Sequence, residues 1–255
     1  MSTEVSHDSM RVAITGIGIV SPHGDDPDRM FDALMRAQSA VHPVLPELTR
    51  PAAAATVQFD ESRWFTKLQL PGVDRVSQLA VAAASLAVSD AGRLEAAPER
   101  IGVYVGCGMG GAAALEAAYG SGLRGGRVPP LTVPAFMPNA PAAHVAMRHG
   151  ARGPVLTYSV ACASSAVALA EAARALRHGD VDVAIAGGAE ALIVPGVVSA
   201  WQALQTLATF EPGQAARACK PFASNRNGFV LGEGAAVMVL ESAARARARG
   251  VRVHA

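Results

Sequence analysis

The stretch LTYSVACASSAVALAEAARALRH, residues 156–178, puts a thiol where covalent chemistry is easiest to arrange. A β-leaning run of Thr157, Tyr158, Ser159 and Val160 ends at Cys162, small residues follow, and an alanine-rich segment of strong helical propensity comes next. A thiol at a helix N-terminus faces unpaired backbone N–H groups and the positive end of the macrodipole, both of which favour thiolate over thiol. Ser164 and Ser165 keep the surroundings small enough for an acyl group to approach, and the N–H groups of the first turn suit a developing oxyanion. The same position reads equally as a buried structural cysteine, because cysteine is among the most buried residue types. Cys107 and Cys219 lack this context, so Cys107 is read as core and Cys219 as a partly buried turn residue. The three cysteines form no CxxC pair and no disulfide framework, which fits a reducing cytoplasm. The histidines are scattered without ligand spacing, so no metal site is expected.

Positioning such a thiol takes a framework of strands and helices. RVAITGIGIV (11–20) and RIGVYVGCG (100–108) are near-continuous apolar runs of the kind buried on both faces of a sheet. GIGIVS half-matches a dinucleotide fingerprint, but the third glycine is missing, Pro22 follows, and no acidic residue closes a second strand; the glycines are read as a tight turn. Residues 26–41 suggest a short amphipathic helix, and residues 43–72 a long surface excursion. DRVSQLAVAAASLAVSDAG (74–92) is a helix from Asp74 to Gly92, buried on two sides. Residues 119–135 read as a Gly- and Pro-rich loop, 138–150 as a helix, and 180–192 as a strand stopped by paired glycines. GFVLGEGAAVMVLESAARARARG (228–250) gives two strands and a basic-ended helix, and the final VRVHA begins like a further strand. Alternating strands and helices argue for a layered α/β sheet, with a frayed tail over 1–10 and no linker dividing 11–255.

Composition narrows the functional classes. Of 255 residues, 51% are hydrophobic and 17% charged, which excludes a disordered chain. A net charge of +1 gives no basic surface for nucleic acid or an anionic membrane. Every long apolar run is broken by Arg, Asp, Glu or Gly, so no membrane span is expected.

SVACASSAVALAEAARALRHGDVDVAIAGGAEA resembles the nucleophile region of the β-ketoacyl synthases, the condensing enzymes of fatty acid and polyketide assembly. VAITGIGIVSPHG, DRVSQLAVAAASLAVSDAG, VGCGMGG, FMPNAPAAHVAMRHGARGP and CKPFASNRNGFVLGEGAAVMVLE are similar to further stretches of that family, in its order. The resemblance implies a thiolase-like fold, five layers in α-β-α-β-α order, of which residues 11–255 are the N-terminal half. It implies that Cys162 takes an acyl group from the phosphopantetheine thiol of an acyl carrier protein, its backbone N–H serving as an oxyanion donor, before decarboxylative condensation with a malonyl-type thioester. No bound cofactor is implied. Met109, Trp201 and Phe229 match positions that line or gate the acyl pocket, or else they are core. Lys67, Arg217 and Lys220 are candidate contacts for an acidic carrier protein, or else solvated surface charges, and Gln205 falls where several relatives carry an Arg.

The family's two catalytic histidines belong to its second half, and neither of their motifs occurs here. His144 and His149 match structural positions, and His178 ends the nucleophile helix more than about 20 Å from Cys162 at ~1.5 Å per residue. The helix over 163–177 carries few charges and is expected to need cover on most sides. The expectation is a second polypeptide with the C-terminal half, in a two-chain unit that pairs again through about 156–160. The alternative is a non-catalytic scaffold or chain-length-factor-like partner of another ketosynthase. Ala223 and Asn227 stand where the family commonly has Asp, removing two carboxylates, while Glu233 is read as structural.

Overall fold

The computed structural model describes residues 11–255, so the tail expected over residues 1–10 lies outside them. The chain opens with β1 (Val12–Val20). Next comes α1 (Pro27–Met35), capped by the Asp26 carboxylate, which accepts from the N–H groups of Asp28 and Arg29. It stops six residues before the expected end, where Ala37 turns the chain at φ 51° and its N–H donates to Leu34 O, and β2 (Val41–Val44) follows. β3 (Ala52–Ala55) pairs with β2 antiparallel, so part of the expected surface excursion is a small sheet. Four alanines carry no strand preference of their own. Burial explains the strand, since Ala52 and Ala54 are 5% and 1% exposed at alternate positions.

α2 (Arg75–Ala91) runs from Asp74 to Gly92 as the sequence predicts. Asp74 accepts from Val76 N–H at 3.0 Å and also from Ala114 N–H at 2.7 Å, so one buried carboxylate caps two helices. β4 (Ile101–Gly106) leads to α3 (Ala112–Leu123) and α4 (Thr132–Phe136). Part of the expected loop over 119–135 is therefore helical. α5 (Ala140–His149) ends at Gly150 in the left-handed conformation. β5 (Val155–Tyr158), α6 (Ser164–His178), β6 (Val183–Glu190) and α7 (Pro195–Ala203) follow. β7 (Leu231–Gly232), β8 (Gly234–Ser242) and α8 (Ala243–Arg249) close the regular structure.

The main sheet has the order β1-β8-β6-β4-β5. β6, β4 and β5 are parallel, while β8 is antiparallel to both β6 and β1. α2 and α5 cover one face and α6 the other, giving three layers with a core on each side of the sheet. Val76, Leu79 and Val81 of α2 are fully buried, each contributing about 1.5–3 kcal/mol.

Gly16 and Gly18 lie inside β1 rather than in the turn the sequence suggested. A Cβ on Gly16 would sit 2.1 Å from the Ala87 carbonyl oxygen, and one on Gly18 2.0 Å from that of Ala83. These glycines let α2 lie directly on the strand. Gly18→Ala is expected to cost about 2–3 kcal/mol, read as a lower urea midpoint, because backbone cannot yield as a side-chain tip does.

α8 is locked to the sheet by a buried ionic cluster. Glu241 is 0% exposed; its Oε1 accepts from Thr15 Oγ1 at 2.7 Å and pairs with Arg249 Nη1, while Arg245 Nε lies 3.4 Å from its Oε2. Both guanidiniums also donate to carbonyls at and beyond the end of α2: Arg249 to Ala91 at 2.9 Å and Arg245 to Leu94 at 3.0 Å. The final VRVHA forms no regular strand, yet His254 N–H donates to Ile14 O and Ile14 N–H donates to Ala255 O on the outer edge of β1.

Candidate active site

Cys162 occupies a tight elbow between β5 and α6, two residues ahead of the first helical residue, and is exposed. Ala161 before it has φ 49°, a left-handed conformation that costs an alanine roughly 1–2 kcal/mol. Local bonds hold that strain. Ser164 Oγ accepts from Val160 N–H at 2.8 Å and donates to Ala161 O at 2.7 Å, and Ala163 N–H donates to Val160 O at 3.1 Å. Ser164 is the small residue that the sequence reading treated as mere space; here it builds the elbow.

The helix behind the thiol is sunk into the sheet. A Cβ on Gly106 would lie 2.3 Å from the Ser165 nitrogen, and one on Gly188 2.7 Å from the Ser165 Cβ. The paired glycines Gly187 and Gly188 therefore sit within β6, which continues to Glu190, and do not stop it as expected. Close approach brings the start of α6 over the C-terminal ends of the parallel strands, where loops of an α/β sheet gather their functional groups.

Two bonds tie the 107–109 turn to the elbow: Cys107 N–H donates to Tyr158 O and Ser159 Oγ to Gly108 O, both at 3.1 Å. This brings Met109, 53% exposed, beside the segment carrying Cys162. Cys107 itself is core, as the sequence suggests. Burial, with the neighbouring Glu190 charge second, pushes its thiol up to about 11. Trp201 of α7 and Phe229 meet edge to face, centroids 5.4 Å apart. Phe229 is fixed there by backbone bonds to Thr206 and Ala208.

Lys67, Arg217 and Lys220 are not gathered on one element. Lys67 follows a short 3-10 turn at 61–63, whereas Arg217 and Lys220 share the loop before β7. Cys219 in that loop is exposed, correcting the partly buried position expected. Gln205 has φ 57° just after α7. Asn227 donates to Thr209 Oγ1 at 2.7 Å and to Thr209 O at 3.1 Å. Ala223 N–H donates to Lys220 O, and its carbonyl accepts from the N–H and guanidinium of Arg226. Glu233 is structural, as expected: buried, it accepts from Val57 N–H at 2.8 Å and pairs with Arg75 at 2.6 Å.

The three histidines also behave structurally. Burial pulls His144 below the usual imidazole value, against a raising bond that its ring donates to the Gly72 backbone. His149 falls further, to about 4, through burial and then the Arg148 charge; its Nε2 lies 3.4 Å from Ser85 Oγ. His178 ends α6 beside its last carbonyls. Because the folded state resists protonation of His149, stability should fall as pH drops from 6.5 toward about 4. His149→Gln should flatten that part of a stability-against-pH curve.

Sequence reasoning missed Glu190. This half-buried carboxylate at the end of β6 accepts from Gly108 N–H at 2.8 Å and lies 4.0 Å from Cys107 Sγ. Burial raises its pKa, opposed by bonds from Gly108, Ala191 and Met109. Its one sequence signal was a charge closing the apolar run AIAGGAE. Around the elbow, Val155, Leu156 and Val160 are exposed, as are Tyr119, Leu123 and Val133 on α3 and α4. The outward positions of α6 include the exposed Ala166, Ala170 and Arg174, so the larger uncovered apolar side chains lie on these neighbours rather than on the helix expected to need cover. Among the described residues, no helix is long and apolar enough to cross a membrane, and no group of three or more His, Cys, Asp or Glu is arranged to hold a metal.

The exposed thiol thus stands on a strained elbow at the C-terminal ends of parallel strands. The chain belongs to the β-ketoacyl synthase family: residues 9–246 match its N-terminal domain. It is 39% identical over 251 residues to Nodulation protein E of Rhizobium sp. (strain N33), covering 95% of this chain and 60% of that protein. It is 34% identical over 256 residues to 3-oxoacyl-[acyl-carrier-protein] synthase 2 of Staphylococcus aureus (strain MRSA252), covering 97% and 61%. The solved ishigamide ketosynthase/chain length factor shares 27% identity at a TM-score of 0.86, over 96% of this chain and 61% of that one. The fold is thus the thiolase-like fold of the ketosynthases, and the chain spans about three-fifths of the length of these relatives.

Proposed function

We propose that this chain is the nucleophile-bearing part of a β-ketoacyl synthase acting on acyl chains carried by an acyl carrier protein. The exposed Cys162 on its elbow is the single observation that supports this most, in a chain whose relatives include a 3-oxoacyl-[acyl-carrier-protein] synthase. The Cys162 thiolate attacks the thioester carbonyl of an acyl-phosphopantetheine, the tetrahedral oxyanion is held by backbone N–H including that of Cys162, and the carrier thiol leaves. A malonyl-type thioester then loses carbon dioxide. Its carbanion attacks the acyl-enzyme carbonyl, expels the Cys162 thiolate and yields a β-ketoacyl thioester.

A second polypeptide with the C-terminal half supplies the two histidines for decarboxylation. Support comes from apolar side chains left exposed around the elbow. The two-chain unit pairs again through the free edge of β5, and the reducing cytoplasm suits its thiol chemistry. Met109, Trp201 and Phe229 line the acyl pocket, while Lys67, Arg217 and Lys220 meet the acidic carrier.

Supplying this chain with its C-terminal half and with acyl- and malonyl-loaded carrier protein is expected to yield a β-ketoacyl product. Stable association with no product and no acyl group on Cys162 would instead make the chain a non-catalytic, chain-length-factor-like partner. That alternative gains its one support from the chain length factor named with the ishigamide ketosynthase.

A further inference from the structure

The reaction outlined above leaves Glu190 without a task, yet its placement is specific. β4 and β6 are parallel neighbours, paired from Ile101–Val183 to Gly106–Gly188, so their following residues emerge side by side at the end of the sheet that carries the elbow. There the Gly108 backbone is gripped from both sides. Its N–H donates to Glu190 Oε2 at 2.8 Å, and its carbonyl accepts from Ser159 Oγ at 3.1 Å. Ser159 lies three residues before Cys162, and Met109 directly follows the gripped residue. A Cβ on Gly108 would lie 2.6 Å from Glu190 Oε2, so the carboxylate leaves the turn no room to shift towards it.

We propose that Glu190 is a positioning residue which, through the Gly108 backbone and Ser159, sets the Met109 turn and the Cys162 elbow in register for acyl transfer. This rests on the ketosynthase reading, with Cys162 as acyl acceptor. Glu190 touches no reacting atom; it fixes where the thiol stands relative to an acyl carbonyl. Glu190→Gln keeps the side-chain volume but can turn a donor towards Gly108 N–H, releasing the grip on one side.

The test uses the chain together with its C-terminal half. Acylation of Cys162 by octanoyl-carrier protein is followed by intact mass, and alkylation of the same thiol by iodoacetamide is followed in parallel. Glu190→Gln is expected to slow acylation about tenfold, since a small displacement of a reacting group has such an effect, and to leave alkylation within about twofold. Ser159→Ala should slow acylation likewise, and the double variant should be little slower than either single one, because both act through the backbone of one residue, Gly108. Unchanged acylation in Glu190→Gln, equal losses in acylation and alkylation, or additive effects would each overturn the proposal. A wild-type protein that alkylates at Cys162 but never acylates would instead remove the ketosynthase reading on which it stands.

Discussion

Cys162→Ala should reduce β-ketoacyl product formation roughly a thousandfold or more, to the level of a mixture lacking the chain. The size follows from the covalent route: without sulfur there is no acyl-enzyme, and condensation has no electrophile held in place. The substitution should leave the fold intact, because Cys162 is exposed and the elbow is held by Ser164 and backbone bonds rather than by the thiol. Circular dichroism and the urea midpoint should therefore match the parent. Product analysis by mass spectrometry checks the first expectation. Product at the parental rate would mean that another group carries the acyl chain, and neither remaining cysteine is a ready substitute. Cys107 is buried with its thiol pushed up to about 11, and Cys219 lies in the loop before β7, outside the elbow.

Glu241→Leu should destabilise the protein by about 3–5 kcal/mol, the usual cost of stranding buried charges. Its carboxylate is fully buried and faces Arg249 and Arg245, with side-chain exposures of 5% and 25%. Removing it leaves two guanidiniums without their anion and Thr15 without its acceptor, at the joint where α8, β1 and the end of α2 meet. A urea titration followed by far-ultraviolet circular dichroism should show a lower midpoint with an unchanged slope. Replacing Glu241, Arg245 and Arg249 together by apolar residues should recover much of the loss, because an ion cluster gives little net stability over packed apolar groups. If the single variant costs less than about 1 kcal/mol, the cluster is solvated rather than buried.

Where the hydrophobic pattern was strong, the elements were legible in the sequence. The helix from Asp74 to Gly92 and the turn from Cys162 into α6 follow from caps, periodicity and propensity. Glycines were misread because their local meaning, a turn, competes with a tertiary one. Gly16, Gly18 and Gly188 are inside strands, where another backbone comes too close for a Cβ, and no short-range pattern carries that information. Ala52–Ala55 is a strand only because β2 and β7 flank it, again a long-range cause. In the site, the thiol was visible from its neighbours, but the strained Ala161, the bracing by Ser164 and the grip of Glu190 on Gly108 were not. The last joins positions 82 residues apart.

The central claim is that Cys162 is a thiol built to receive an acyl chain. The most direct measurement is intact-mass analysis with peptide mapping after the chain, together with its C-terminal half, meets acyl-loaded carrier protein without an extender. The predicted result is one acyl group per chain, on the peptide holding Cys162 and absent from Cys162→Ala. An unmodified Cys162, with the same carrier protein acylating a known ketosynthase alongside, would contradict it.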